Sequence, residues 1–412
     1  MNLVRAGRSN VLWLLVAVIG VVVAFVATPN ASDGVAISVL FLAIVVSVAG
    51  LSSSSFRQGH PVMARAAKVL VVTCATLFAT FFFSETTNFN LATGAAMSVT
   101  LVGLSFLTGI SGQISLGNGA FMGVGAFVMA MWANHHATTP IVLALLIAIA
   151  GGAVVGLLLG LPATRLRGPY LAGMTLAFAV AFDAILNYFN SWTGGDGGLQ
   201  LPHSTDPPRW LLRLFSHGVS SLTANTLWLT DITVVATAVA FFFMANLFAS
   251  RVGRAMRLVR DNEVGAELVG VNLARTRVLA FVVSSSYAAL GGALWTLINN
   301  SATPATYSFA LSIVILSVLV IGGIGTIPGA LIGGLIYAYS TNVIAWFTAR
   351  TGLNPQGNLA SQLNGIIFGG LLIVTMMFAP RGVAGLYRTF RRRPVVKGPD
   401  VTPPVTETYA EA

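Results

Sequence analysis

The stretch Ile141 to Leu161, IVLALLIAIAGGAVVGLLLGL, contains no charged or amide side chain and is followed closely by Arg165 and Arg167. A helix rises about 1.5 Å per residue, so roughly 20 apolar residues cross a hydrocarbon core about 30 Å thick. This run meets that requirement and ends on basic residues, as a helix does when it emerges on the side where Arg and Lys accumulate. The rest of the chain agrees with it. Charged residues make up 8 % of the 412, against about 25 % in an ordinary soluble domain, while hydrophobic residues make up 56 % and 43 positions are Gly. Abundant Gly suits helices that pack closely in lipid. The net charge of +10 does not indicate nucleic acid, because so apolar a chain lacks the polar surface on which a basic stripe would lie. The fold class is all-α, a polytopic transmembrane helix bundle in a lipid bilayer.

The same length rule gives about 11 to 12 spans along the chain. They run from Val11 to Thr28, Gly34 to Leu51, Ala67 to Phe83, Ala92 to Gly109, Gly119 to Trp132, Ile141 to Leu161, Tyr170 to Phe189, Leu227 to Ala249, Val278 to Ile298, Phe309 to Gly325, Gly329 to Phe347 and Leu363 to Ala379. The fifth is short and Gly-rich, and reads as either a full crossing or a broken helix. With the N-terminus cytoplasmic, every Arg and Lys falls on the cytoplasmic side except Arg209, Arg213 and Arg350. The expected topology therefore has both termini cytoplasmic. Arg5 and Arg8 before the first apolar run also fit the start of a secretory signal, but that run is longer than a signal's apolar core of about 7 to 15 residues, which favours a retained helix.

Some chemistries have no residues to support them. Cys74 is the single cysteine, so no disulfide framework or cysteine metal site is expected, and the five histidines lie in polar connections without further ligands. Only two lysines occur, Lys68 and Lys397, and neither stands in the Gly-Lys-Ser/Thr context of a phosphate-binding loop. ATP hydrolysis is therefore not expected in this chain, nor any other enzyme activity, cofactor or metal. Asp183 is the acid well inside an expected span. It reads either as a carboxylate that binds substrate or a proton, or as an acid near the surface reaching water or a neighbouring amide.

The most informative cytoplasmic segment is Arg251 to Arg277, RVGRAMRLVRDNEVGAELVGVNLARTR. Asp261 is expected to cap a short helix in which Glu263 and Glu267 stand four residues apart and which Gly270 ends in a left-handed conformation. Val264, Leu268 and Val269 then share one face. A solvated loop has no need of a capped helix with an apolar stripe, so the segment reads as a docking element for another protein.

This segment resembles the cytoplasmic coupling loop of ABC importer permeases, and in particular the LivM type of branched-chain amino-acid permease. Arg257, Arg260, Glu263, Ala266, Glu267 and Gly270 match the family pattern. The resemblance implies that this helix sits in a cleft of an ATPase subunit, with Val264 and Leu268 among the coupling residues.

Three further motifs carry the same resemblance. SGQISLGNGAFMGVGAF, Ser111 to Phe127, sets Gln113, Ser115 and Asn118 among glycines. Freed backbone groups at a helix break face a pathway in many transporters, while Gly119 and Gly123 form a close-packing pair. GPYLAGMTLAF, which includes Thr175, is followed by TGGDGGL, which places Asp196 at the external end, where it would meet a substrate ammonium or a partner's basic residue, or serve as a plain turn acid. Where the family often has a Glu soon after TLAF, this chain has Val180 and places its acid at Asp183. GGIGTIPGALIGG, Gly322 to Gly334, contains Gly329 and Gly333 as packing positions and echoes the Ser111 motif 210 residues earlier, as an internal repeat would.

The expected organisation is extra N-terminal helices over 1–91, a permease domain over 92–390 with its coupling loop at 251–277, and a disordered cytoplasmic tail over 391–412. The resemblance implies a multi-pass subunit in the bacterial cytoplasmic (inner) membrane that imports branched-chain or other apolar amino acids. Its partners would be a second homologous permease, two ABC ATPase subunits and an extracytoplasmic solute-binding protein. The competing expectation is an ion-coupled secondary carrier using Asp183; a passive channel is a third.

Overall fold

A computed structural model describes residues 61–80, 83–136, 140–166, 168–201 and 221–351, together with positions 370 and 377. The expected spans at 11–28, 34–51 and 363–379 and the tail at 391–412 lie outside the described residues. Each expected span from Ala67 to Phe347 corresponds to a helix. These are α1 (Pro61–Thr80), α2 (Glu85–Leu104, continued by a π-helix Ser105–Ile110), α3 (Asn118–His135), α4 (Ile141–Ala163) and α5 (Pro169–Tyr188), then α6 (Ser221–Ala249), α9 (Leu273–Asn299), α10 (Phe309–Gly322) and α11 (Ile327–Thr351). Between α6 and α9 come two short helices, α7 (Arg251–Asp261) and α8 (Glu263–Leu268). Among the described residues, five helical segments are long and apolar enough to cross a bilayer. The chain is an all-α polytopic membrane protein.

The helix ends follow local chemistry. Ser84 caps α2 by accepting from the Thr87 amide at 3.4 Å, and Asn272 caps α9 by accepting from the Arg275 amide at 2.9 Å. Gly168 turns into α5 at φ +55° with Pro169 in the first helical position. Two sequence expectations shift. The fifth span is one continuous helix, α3, longer at both ends than Gly119 to Trp132. The span expected to reach Gly325 stops at Gly322, because Gly323 and Gly325 adopt φ +118° and +73°, outside helical geometry.

α2 and α9 form the centre: 83 % of the α2 apolar window is buried, against 28 % for α4 and α5 at the periphery. The packing is set by small residues. Along α4, Gly152, Gly156 and Gly160 recur every fourth position and meet Ala289, Ser285 and Phe281 of α9, with no room for a Cβ at Gly156. Lipid supplies no hydrophobic drive between helices, so such close approach provides the attraction through dispersion. The other face of α4, with Val142, Leu146, Val154, Leu158 and Leu161, is exposed.

Two helical hairpins complete the core. α2 and α3 join through Ser111–Gly117, α10 and α11 through Gly323–Thr326, and α2 packs on α11 while α3 packs on α10. At the end of the bundle away from α7 and α8, β1 (Leu199–Gln200) pairs antiparallel with β2 (Ser301–Ala302), tying the segment after α5 to the segment after α9. α1 lies against α6, where Arg65 donates to Asn246 Oδ1 at 2.8 Å and Thr80 donates to Asp231 Oδ1 at 3.0 Å.

Candidate functional site

The break after α2 is built from a helix that loosens and then stops. In the π-helix Ser105–Ile110 the ladder widens, with the Ser111 amide donating to Phe106 O at 3.1 Å and the Gln113 amide to Leu107 O at 3.2 Å. Gly112 then takes φ +75°. The following turn is pinned from α5: Thr175 Oγ1 accepts from the Leu116 amide at 2.9 Å and donates to Ala172 O at 3.0 Å. The Gly117 backbone lies against the Thr175 carbonyl, where a Cβ would approach to 2.8 Å. Ser115 Oγ accepts from the Gly117 amide at 3.3 Å, and the Gly119 amide donates to Ser312 of α10 at 2.9 Å.

Four of the expected pathway residues are therefore gathered here. Gln113, Ser115, Asn118 and Thr175 are all buried. Gln113 Nε2 donates to Ser111 Oγ at 2.5 Å, while its Oε1 and both amide atoms of Asn118 have no protein partner among the described residues. Buried amides without partners cost about 1–3 kcal/mol each and are uncommon unless water or a ligand meets them. Asp183 and Asp196 are not part of this cluster. Asp183 lies eight residues beyond Thr175, about 12 Å along the helix. It is half-buried at the edge of the stripe formed by Leu171, Thr175, Ala179, Phe182 and Leu186. Asp196 is exposed in a single 3-10 turn at the β1 end. Of the glycines read as packing positions, Gly119 faces Ser312, Gly123 faces Phe182 and Tyr307, Gly333 faces Val318 and Leu101, and Gly329 faces the Gly323 carbonyl of its own turn.

The polar segment is two helices rather than one. α7 is capped by Ser250, which accepts from the Gly253 amide at 3.3 Å, and it buries Gly253, Met256 and Val259. The cap of α8 is Asn262, whose Oδ1 accepts from the Gly265 amide at 2.9 Å, not the expected Asp261. Asp261 ends α7 and pairs instead with Arg260 at 2.8 Å. The reason is geometric: Asn262 has the extended conformation a cap requires, φ −156° and ψ 102°, whereas Asp261 is still helical. Gly270 closes the segment at φ +82°. Val264, Leu268 and Val269 are 68 %, 83 % and 68 % exposed, with Glu267 beside them.

The arginines of this segment face inward as well as outward. Arg257 donates to Phe248 O at 3.0 Å, and Arg260 Nη1 donates to Gly109 O at 2.5 Å. Arg277, only 7 % exposed, pairs with Glu263 and donates to Thr164 O at 3.2 Å, tying α8 and α9 to the end of α4. Between the loop helices and the break lies a cleft of about 140 Å³, lined by Gly112, Gln113, Val259, Arg260, Glu263 and Arg277 among others.

Sequence reasoning missed three of these features. Arg277 was read only as a charge that sets orientation. Asp231 also lies inside an apolar helix, so Asp183 is not alone there, and a single acid within Asn225–Ala249 was the available signal. The apolar face of α7 was visible as Gly253, Met256 and Val259 at intervals of three.

Residues 88–376 match the family described as branched-chain amino acid transport system, permease component. The chain is 26 % identical over 299 residues to the high-affinity branched-chain amino acid transport system permease protein LivM of Escherichia coli K12, covering 70 % of this chain and 67 % of that protein. It is 25 % identical over 312 residues to LivH of the same strain, covering 74 % and 96 %. To BraD of Pseudomonas aeruginosa it is 25 % identical over 308 residues, covering 72 % and 94 %. No solved structure matches the chain. The matched region holds both glycine-rich turns, α5 and the whole α7–α8 loop, and the chain belongs to the branched-chain amino acid transport permease family.

Proposed function

We propose that this chain is the transmembrane permease subunit of an ATP-binding cassette importer for branched-chain or other apolar amino acids, with ATP hydrolysis supplied by separate subunits. The observation that carries the reading is α8: a capped helix two turns long whose Val264 and Leu268 point away from the bundle. Full exposure of a Leu side chain forgoes about 1.5–3 kcal/mol that burial would return. An ATPase cleft is the partner that the family resemblance supplies for that face. The relatives' names supply the substrate class.

In this reading the ATPase subunits close on ATP and displace α8. The Arg277–Glu263 pair and the Arg277 bond to Thr164 O hold α8 to α9 and α4, so the displacement reaches the bundle as a rigid push rather than as loop motion. The pathway runs past the buried amides of Gln113 and Asn118, with Ser115 and Thr175 fixing the turn. Asp183 and Asp196 mark the route and the docking end for a solute-binding protein, beside the β1–β2 pair. A second permease of the same family completes the membrane unit, the membrane is the bacterial cytoplasmic membrane, and both termini are cytoplasmic. Of the expected N-terminal extension over 1–91, α1 braces α6.

The test is uptake of labelled leucine into vesicles holding this chain, a paired permease, the ATPases and the binding protein. ATP-dependent uptake is expected. Uptake driven by a proton gradient without ATP would instead establish the Asp183 carrier.

A further inference from the structure

Three elements meet at Gly109. Its carbonyl belongs to the last turn of the π-helix, where the following amides are already committed: Ser111 to Phe106 O and Gln113 to Leu107 O. The carbonyl at a helix end needs a partner from elsewhere, and Arg260 of α7 supplies it, Nη1 to oxygen at 2.5 Å. The stem of the same side chain lies over Gly112, where an added Cβ would stand 2.5 Å from Arg260 Cγ and 3.2 Å from Cδ. Gly109 also abuts the backbone of Gly325 with no room for a Cβ, and the Gly325 amide donates to Ser105 Oγ at 3.0 Å. The turn after α2 and the turn after α10 are thus in backbone contact at the point where the loop arginine inserts.

Asp261 accepts from Arg260 Nε at 2.8 Å and fixes the plane of the guanidinium. Glu263 and Arg277, which line the same cleft, are committed to each other. Arg260 is therefore the cation of the cleft that faces the break.

We infer that Arg260 is a positioning residue, a pin seated in Gly112 that passes displacement of the α7–α8 loop to both glycine-rich turns through Gly109. The inference rests on the importer reading, but it places the transmission in this chain's own contacts rather than at the ATPase surface. A residue that only capped the helix would affect folding; a pin affects how much transport each ATP yields. Arg260 is 39 % exposed, so truncation leaves the Gly109 carbonyl facing a cleft that water can enter, and folding is retained.

The experiment uses the reconstituted complex with Cys74, exposed on α1, replaced by Ser, and Ile114, 48 % exposed on the turn, replaced by Cys as a reporter. Uptake per ATP hydrolysed and the rate of thiol modification with and without ATP are measured. Arg260→Ala is expected to lower uptake per ATP about tenfold, within the usual range of coupling between sites, and to make the modification rate independent of ATP, with the melting temperature little changed. Arg260→Lys should recover most of both. Gly112→Ala, which also strains a backbone at φ +75°, should lower uptake per ATP in the same sense as Arg260→Ala, and the double variant should be no worse than the more impaired single one, because both disturb the same seat.

Wild-type transport stoichiometry in Arg260→Ala, or single effects that multiply in the double variant, would overturn the pin. If Arg260→Ala does not assemble, Arg260→Lys and Gly112→Ala read the same quantities. Absence of ATP-driven uptake by the unmodified complex would overturn the importer reading instead.

Discussion

Arg277 enters α9 in its second turn, buried, with Glu263 and the Thr164 carbonyl as partners. Replacing it by Met keeps the stem and removes the charge. Glu263 is 38 % exposed on its side chain and can rehydrate, so the cost should lie below the ~3–5 kcal/mol of a fully buried broken pair; a loss of about 1–2 kcal/mol is expected. Thermal unfolding in detergent measures it, and an unchanged midpoint would show that the pair contributes nothing to stability. Gln113→Ala deletes an amide whose Oε1 has no protein partner among the described residues and whose Nε2 donates to Ser111 Oγ, so it should cost about 1 kcal/mol of stability while reducing leucine uptake several-fold. Unaltered uptake would return Gln113 to a packing role. At this scale the sequence was only partly legible. Gln113, Ser115 and Asn118 stood together in one motif, and Thr175 joins them across 59 positions through the Leu116 amide. Nothing in helical spacing announces that Arg277 reaches back 14 positions to Glu263.

Among elements, the α4–α9 contact is the tightest test of packing. A Cβ at Gly156 would overlap Ser285 Oγ, so Gly156→Val must push two central helices apart. Overpacking of this kind costs typically about 1–3 kcal/mol. The expected result is a lowered unfolding midpoint and reduced expression, whereas Val154→Leu on the exposed face should change neither. Helices such as α4 were readable because hydropathy averages over a whole span. The same averaging hid Asp231, one acid in a long apolar run, and it merged α7 with the loop because its arginines at 251, 254, 257 and 260 dominate the composition. The α10 boundary depended on the backbone of Gly323 and Gly325, which composition does not encode. The resemblance between the two glycine-rich motifs was visible; that the two turns touch at Gly109 and Gly325 was not.

For the molecule as a whole, the α7–α8 loop and the β1–β2 pair lie at opposite ends of the bundle. Leu268→Asp should weaken co-purification of the ATPases ten- to hundredfold, the equivalent of losing roughly 1.5–3 kcal/mol of apolar burial, without altering membrane insertion. Full retention of the ATPases would remove α8 as their seat. A single cysteine at Val264 should react with an impermeant reagent only from the cytoplasmic side, and one at Asp196 only from outside; the reverse pattern would invert the topology. α4 also separates two kinds of constraint. Its face toward α9 is limited by size, since Gly152 and Gly156 leave no space for a Cβ and Gly160 lies close against Phe281, while its outer face asks only for greasiness, which Val, Leu, Ile and Phe satisfy interchangeably. Lineages diverging to about a quarter identity, as this chain and its E. coli relative have, can rewrite the outer face many times over. Along α4, substitutions that survive selection should then recur with the period of the helix, so that a catalogue of tolerated variants would by itself reveal which side of α4 meets protein and which meets lipid.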